Sequence, residues 1–186
     1  EIPKRDWSSD VCSSDLDKAM KDAVVRFGGL DMLINNAGVG LFSPVADMST
    51  EQWHTVMDTN LTGVFHCCHA ALPHLRARGA GWITNISSLA STNPFANAAA
   101  YCASKAALNA FTEALMQEVR HDGVRVAYVM PGSVRTEFNN RTPGAGDEWK
   151  LAPDDVAQAV VDLLEHPARS LPSRVEIRPA RPPKKG

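Results

Sequence analysis

The sequence predicts an α/β fold in which a parallel sheet is covered by helices on both faces. Short apolar runs of strand character alternate along the chain with longer stretches of helical periodicity, the pattern of successive βαβ units. The runs at 30–34 and 124–130 have the composition of buried strands. With 186 residues, 44% hydrophobic content and a formal charge of −2, the chain suits a single globular domain with an ordinary core.

Residues 17–26 carry a helical pattern that Gly28 and Gly29 end. The run 30–34 is a short buried strand leading into Asn35-Asn36-Ala37-Gly38. Ser49-Thr50-Glu51-Gln52 reads as a helix start, because the Ser49 hydroxyl and the Gln52 amide can satisfy free N–H groups reciprocally. That helical pattern runs to about Arg78, with Gly63 as a weak point and Pro73 as a kink or break. Residues 81–86 form the next strand, ending in Ser87-Ser88, and 98–121 form a long Ala-rich helix. Gly123 turns the chain into the strand 124–130, which Pro131-Gly132 stops. Pro153-Asp154-Asp155 opens a last helix through about Leu164, and 174–178 alternates as a closing strand. No internal repeat or interdomain linker interrupts the pattern.

Residues 6–16 form a Ser/Asp stretch with neither helical nor strand periodicity. They resemble one reading frame of a sequencing-adapter oligonucleotide joined to a gene at about Asp17. Residues 1–16 are therefore expected to be a non-native or disordered leader and are left out of the fold. The body spans 17–179, and 180–186 is a basic, Pro-rich solvated tail. The near-neutral charge has no basic stripe, which argues against nucleic acid. No apolar run approaches the roughly 20 residues that span a bilayer. No secretory signal is visible, and Cys67, Cys68 and Cys102 lack metal-ligand spacing, so reduced thiols and a cytoplasmic location are expected. The six histidines also lack metal spacing, and His66 with His69 suits a surface or interface; no metal is expected.

The chemistry lies in Ser88, Tyr101 and Lys105. Tyr101-Cys102-Ala103-Ser104-Lys105 places a phenol and an ammonium on one helical face. A tyrosine near its usual pKa of about 10 is a poor base at neutral pH, so a neighbouring positive charge is needed to favour the phenolate. The pair alone would be an ordinary solvent-facing one; Ser88, at the end of its strand, gives it meaning. The separation of thirteen positions from Tyr101 selects Ser88 over Ser87.

Asn35-Asn36-Ala37-Gly38, Asn60, Ser88 with Tyr101-x-x-x-Lys105, and Pro131-Gly132-Ser133-Val134-Arg135-Thr136 together resemble the short-chain dehydrogenases and reductases. The resemblance covers Asp17 to about Pro179. It implies a Rossmann-like doubly wound parallel sheet that is incomplete here, with the last four strands present and the first strands and glycine-rich turn missing. It implies NAD or NADP as cofactor and a small-molecule alcohol or carbonyl as substrate. Tyr101 would be the general acid or base, and Lys105 would lower its pKa and hydrogen-bond the nicotinamide ribose. Ser88 would steady the reacting oxygen, and Asn60 would hold a water linking Lys105 to solvent. Ala37, Gly38, Pro131, Gly132, Val134 and Thr136 would contact the cofactor, with Tyr101 and Lys105. Asn35 is equally a cofactor contact or a structural strand-end residue, and Asn60 could simply bend or cap a helix.

Substrate specificity in such proteins comes largely from the segment after the Pro-Gly motif, here 137–151. Phe138, Trp149 and Met130 are its candidate apolar lining, with Phe42, Phe95 and Ala96 as further wall. The segment is short, which suggests a small or open-ended substrate. The residue that distinguishes NAD from NADP follows a strand this chain lacks, so the preference stays open.

Three functional readings follow. The parent gene encodes an NAD(P)-dependent oxidoreductase, a homodimer or homotetramer. The chain as written is an inactive remnant, because an unpaired hydrophobic strand edge at 30–34 invites aggregation and the pyrophosphate cradle is missing. Or it is a noncatalytic oligomerisation or binding module, against which the intact Asn60, Ser88, Tyr101 and Lys105 argue. A sugar-nucleotide epimerase ranks below these, because it usually lacks Asn-Asn-Ala-Gly and needs a larger C-terminal portion.

Overall fold

The structure, a computed structural model, describes residues 9–140 and 142–183. Residues 1–8 of the expected leader and 184–186 of the expected tail lie outside the described residues. The chain runs α1 (Ser9–Phe27), β1 (Met32–Asn35), α2 (Thr50–Met57), a π-helical turn (Asp58–Thr62), α3 (Gly63–Arg78), β2 (Gly81–Ile86), α4 (Ala99–Val119), β3 (Val124–Pro131), α5 (Pro153–Leu164) and β4 (Arg174–Ile177). The four strands form one parallel sheet in the order β1-β2-β3-β4. This is the predicted incomplete, doubly wound sheet.

Most boundaries follow from local chemistry. The capping box at the start of α2 is present: the Gln52 amide N–H donates to Ser49 Oγ at 3.2 Å, and the Ser49 N–H donates to Gln52 Oε1 at 3.0 Å. Gly28, Gly79 and Gly123 take left-handed conformations where α1, α3 and the turn after α4 end. Pro73 sits inside α3 without ending it.

One expectation fails. α1 begins at Ser9, so residues 9–16, expected to be a non-native or disordered leader, are helical rather than disordered. Extending an existing helix needs no new nucleus, and carboxylates such as Asp15 suit its N-terminal half. The exposed Ser14 and Asp15 show why no apolar stripe announced it.

Side chains alternate across the sheet and build two cores. Leu33, Ile83, Val124 and Val126 pack with Val64, Leu75, Leu108 and Leu115 of α3 and α4. Trp82, Ala127 and Val129 pack on the opposite face with Val160 and Leu163 of α5. α5 lies over β3 and β4. The α5-side residues of β1, Met32 and Ile34, therefore stay 49% and 47% exposed. Cys67, Cys68 and Cys102 form no disulfide, and burial pushes Cys68 up to about 12, which keeps it protonated and inert.

Candidate active site

The site lies where the carboxyl ends of β2 and β3 meet α4. Asn97, with φ of 65°, turns the chain into α4, and its carbonyl accepts the Ser43 N–H at 2.7 Å. Buried Ala98 packs with Ala90 and Cys102, which seats this end of α4 on the turn after β2. Tyr101 and Lys105 then follow one turn apart.

Ser88 ends the strand segment and caps the short 3₁₀ turn Leu89–Ser91, where its Oγ accepts the Ala90 N–H at 3.1 Å. The neighbouring Ser88 side chain favours the ionised form of Tyr101. Ser87 faces the other way: its Oγ donates to Asn109 Oδ1 at 2.5 Å. Both serines line the cavity.

The electrostatics differ from expectation in one respect. Lys105 was expected to lower the Tyr101 pKa, but burial raises it above 10.0, with the Ser88 side chain opposing and Cys102 adding a little. Desolvation of a neutral-to-anionic group outweighs the other contributions. Lys105 is only 4% exposed, and its Nζ donates to the Ile86 carbonyl at 2.8 Å. Burial lowers its pKa from 10.5 to about 8, so it is a weakened cation.

Asn60 is fully buried in the π-helical turn, a feature often found at functional sites. Its Oδ1 accepts the Val39 N–H at 2.9 Å; its Nδ2 donates to the Val39 carbonyl at 2.9 Å and to Ser104 Oγ at 3.0 Å. The side chain thereby ties the loop after β1 to α4, and both of its N–H donors are engaged.

A cavity of about 1400 Å³ is lined by Gly38, Ser88, Tyr101, Lys105, Pro131, Gly132, Val134 and Thr136. Phe42, Phe95, Phe138 and Trp149 also line it, as expected. Asn35 and Ala37 do not. Asn35 is buried and donates to Asn85 Oδ1 at 2.8 Å and Cys68 Sγ at 3.5 Å, so it is the structural strand-end residue. Met130 is not lining either: it is fully buried with Sδ against Asn109 and Ser91, because even-numbered residues of β3 face α4. Ala96 is likewise outside the lining.

Asn109 and Ser104 escaped the sequence reading. Asn109 Nδ2 donates to Ser91 Oγ at 2.8 Å, and Ser91 Oγ donates to the Ser88 carbonyl at 2.6 Å, so α4 braces the Ser88 turn. The signal was spacing: Tyr101, Lys105 and Asn109 recur every four residues along one helix face. The segment after β3 is closed at its base by Leu151 N–H to Ser133 O at 3.0 Å and Arg135 N–H to Leu151 O at 2.8 Å.

Comparison with known proteins now bears on this geometry. A sequence profile described as short chain dehydrogenase matches residues 7–145. The chain belongs to the short-chain dehydrogenase family. An uncharacterized oxidoreductase of Staphylococcus epidermidis is 36% identical over 178 residues, covering 95% of this chain and 77% of that protein. Among solved structures, an alcohol dehydrogenase of the archaeon Thermococcus sibiricus complexed with 5-hydroxy-NADP superposes with a TM-score of 0.83 at 28% identity, covering 93% of this chain and 73% of that one. The closed form of a serine dehydrogenase complexed with NADP+ gives a TM-score of 0.81 at 31% identity, with 89% and 71% covered. As a short-chain dehydrogenase, the chain is an oxidoreductase by family.

Proposed function

We propose that the cavity interconverts a small alcohol and its carbonyl with NAD or NADP, Tyr101 handling the proton. The observation that carries this reading is that Ser88, Tyr101 and buried Lys105 line one cavity. The NADP ligands of the alcohol and serine dehydrogenases support the cofactor class.

The residues present fit the nicotinamide end of such a cofactor. A Cβ on Gly38 would come within 3.3 Å of Asn60 Oδ1 and 3.5 Å of Lys105 Nζ, so glycine leaves bare backbone facing the lysine. Gly38, Tyr101 and Lys105 on one wall and Pro131, Gly132, Val134 and Thr136 on the other would hold it. When bound, the nicotinamide ring supplies or accepts the hydride.

Tyr101 and Ser88 do the rest at the substrate oxygen. Because burial keeps the phenol neutral at pH 7, Tyr101 is ready to donate its proton to a carbonyl oxygen in reduction. Ser88 offers a second hydrogen bond to the same oxygen. Alcohol oxidation needs the phenolate, so its rate is expected to climb with pH through the alkaline range, while reduction is fastest with the phenol protonated. Lys105, one helical turn along, would favour the phenolate while it keeps its charge, and Asn60 would hold a water linking it to solvent.

Tyr101→Phe is expected to lower kcat for NAD(P)H-dependent ketone reduction at least a hundredfold, the usual scale of a lost general acid. Turnover near the parental rate in that variant contradicts the assignment. The open α5 side of β1, with Met32 and Ile34 exposed, supports a second reading in which the chain as it stands self-associates and holds the cofactor weakly. A monomer that binds NADPH at micromolar concentration in the same titrations contradicts that second reading.

A further inference from the structure

We propose that an aromatic collar around Tyr101 selects methyl ketones and secondary alcohols bearing an aryl or other bulky apolar group, and disfavours carboxylate-bearing substrates. The inference rests on the oxidoreductase reading of the cavity and names its substrate class.

Two of the six phenylalanines contact the Tyr101 ring, and a third packs on one of them. Phe42 meets it edge-on with ring centroids 5.8 Å apart, Phe138 lies 5.6 Å away, and Phe95 packs edge-on against Phe42 at 5.7 Å. These rings come from three separate segments: the loop before α2, the loop before α4 and the segment after β3. They are nevertheless left 41%, 39% and 52% exposed, for Phe42, Phe138 and Phe95 respectively, with cavity-facing surface that the fold itself does not cover. Converging exposed aromatic surface on a concave wall is the mark of a site for an apolar partner.

Backbone detail fits the arrangement of the collar. A Cβ on Gly40 would lie 2.7 Å from Phe138 Cε1 and 3.0 Å from Phe42 Cζ, so glycine at this position lets both rings seat on the main chain. Phe138 is held beside the site by its own N–H, which donates to Thr136 Oγ1 at 3.3 Å.

Charge points the same way. The charged residues among the described cavity lining are Lys105, Lys150 and Arg178. Lys150 Nζ sits 2.6 Å from Asp147 Oδ1 in a buried pair, and Arg178 contacts Glu176 at 2.8 Å. Lys105 donates to the Ile86 carbonyl. A substrate carboxylate would thus have to displace an existing partner of a cation or lie against phenylalanine, where an unpaired charge is costly. Aryl groups stack on such rings without that cost.

Acetophenone and pyruvate form a matched test, because both are methyl ketones and differ in phenyl against carboxylate. With NADPH, kcat/KM is expected to be at least about tenfold higher for acetophenone, the scale on which an apolar pocket discriminates. Binding is read separately by saturation-transfer NMR of 1-phenylethanol and lactate on the Tyr101→Phe protein with NADPH, where no turnover interferes. Transfer to 1-phenylethanol alone is expected, weakened about tenfold in apparent affinity by Phe138→Ala or by Phe95→Ala; both rings are partly exposed, so either truncation leaves the core intact. Equal or better binding of lactate, or affinity unmoved in both variants, overturns the proposal. Binding of 1-phenylethanol without reduction of any ketone leaves the collar standing and overturns the oxidoreductase reading instead.

Discussion

Lys105 shows how one burial shapes both stability and chemistry. Its amine titrates near 10.5 when unfolded and near 8 in the fold. Between those values the unfolded chain binds more protons, so this residue makes stability rise with pH across the window. Below it, the buried charge costs up to about 3 kcal/mol, from about 1.4 kcal/mol per pH unit. Lys105→Met is therefore expected to be more stable than the parent at pH 7 and to lose the gain on moving from pH 8 to about 10, by urea unfolding. Tyr101, raised by burial, acts oppositely and only as pH passes its ordinary value of 10.0. Parallel pH profiles for parent and variant would show that the lysine is not desolvated as described.

At the scale of elements, the turns set where the site forms. Gly123 has φ of 76°, and a Cβ there would fall 2.2 Å from the Gly79 carbonyl oxygen. The end of α3 and the entry to β3 thus meet backbone to backbone, which fixes β2 and β3 in the register that puts Ser88 level with Pro131. Gly123→Ala is expected to cost more than about 2 kcal/mol, since it combines left-handed strain with a clash against main chain; a thermal midpoint within a degree or so of the parent would contradict this. Such punctuation is legible in a sequence, and β2 and α5 fall at the predicted residues. Ser88, Tyr101 and Lys105 were legible for a similar reason, because their relation depends on one helix and one strand end. Asn35 was not resolved, because only the packing of β1 against β2 shows that its amide turns to Asn85. Helix 9–16 was missed because the exposed Ser14 and Asp15 lend it no apolar stripe.

At the scale of the molecule, the sheet places all its chemistry at one end. The carboxyl ends of β2 and β3 hold the Ser88 turn and the Pro131-Gly132 turn, α4 brings Tyr101 and Lys105 between them, and the segment after β3 adds Phe138. Asn60 and Asn109 lash the surrounding loops to α4 from either side. The account's central claim is that this end of the sheet carries a hydride between a nicotinamide and a carbonyl carbon, with Tyr101 supplying the proton. The most direct test is to incubate the protein with acetophenone and NADPH deuterated at the reactive carbon, and to locate the label by NMR. The account predicts deuterium on the carbinol carbon of 1-phenylethanol with the parent chain and none above background with Tyr101→Phe. Unlabelled product from the parent, or equal labelling from the variant, would contradict it.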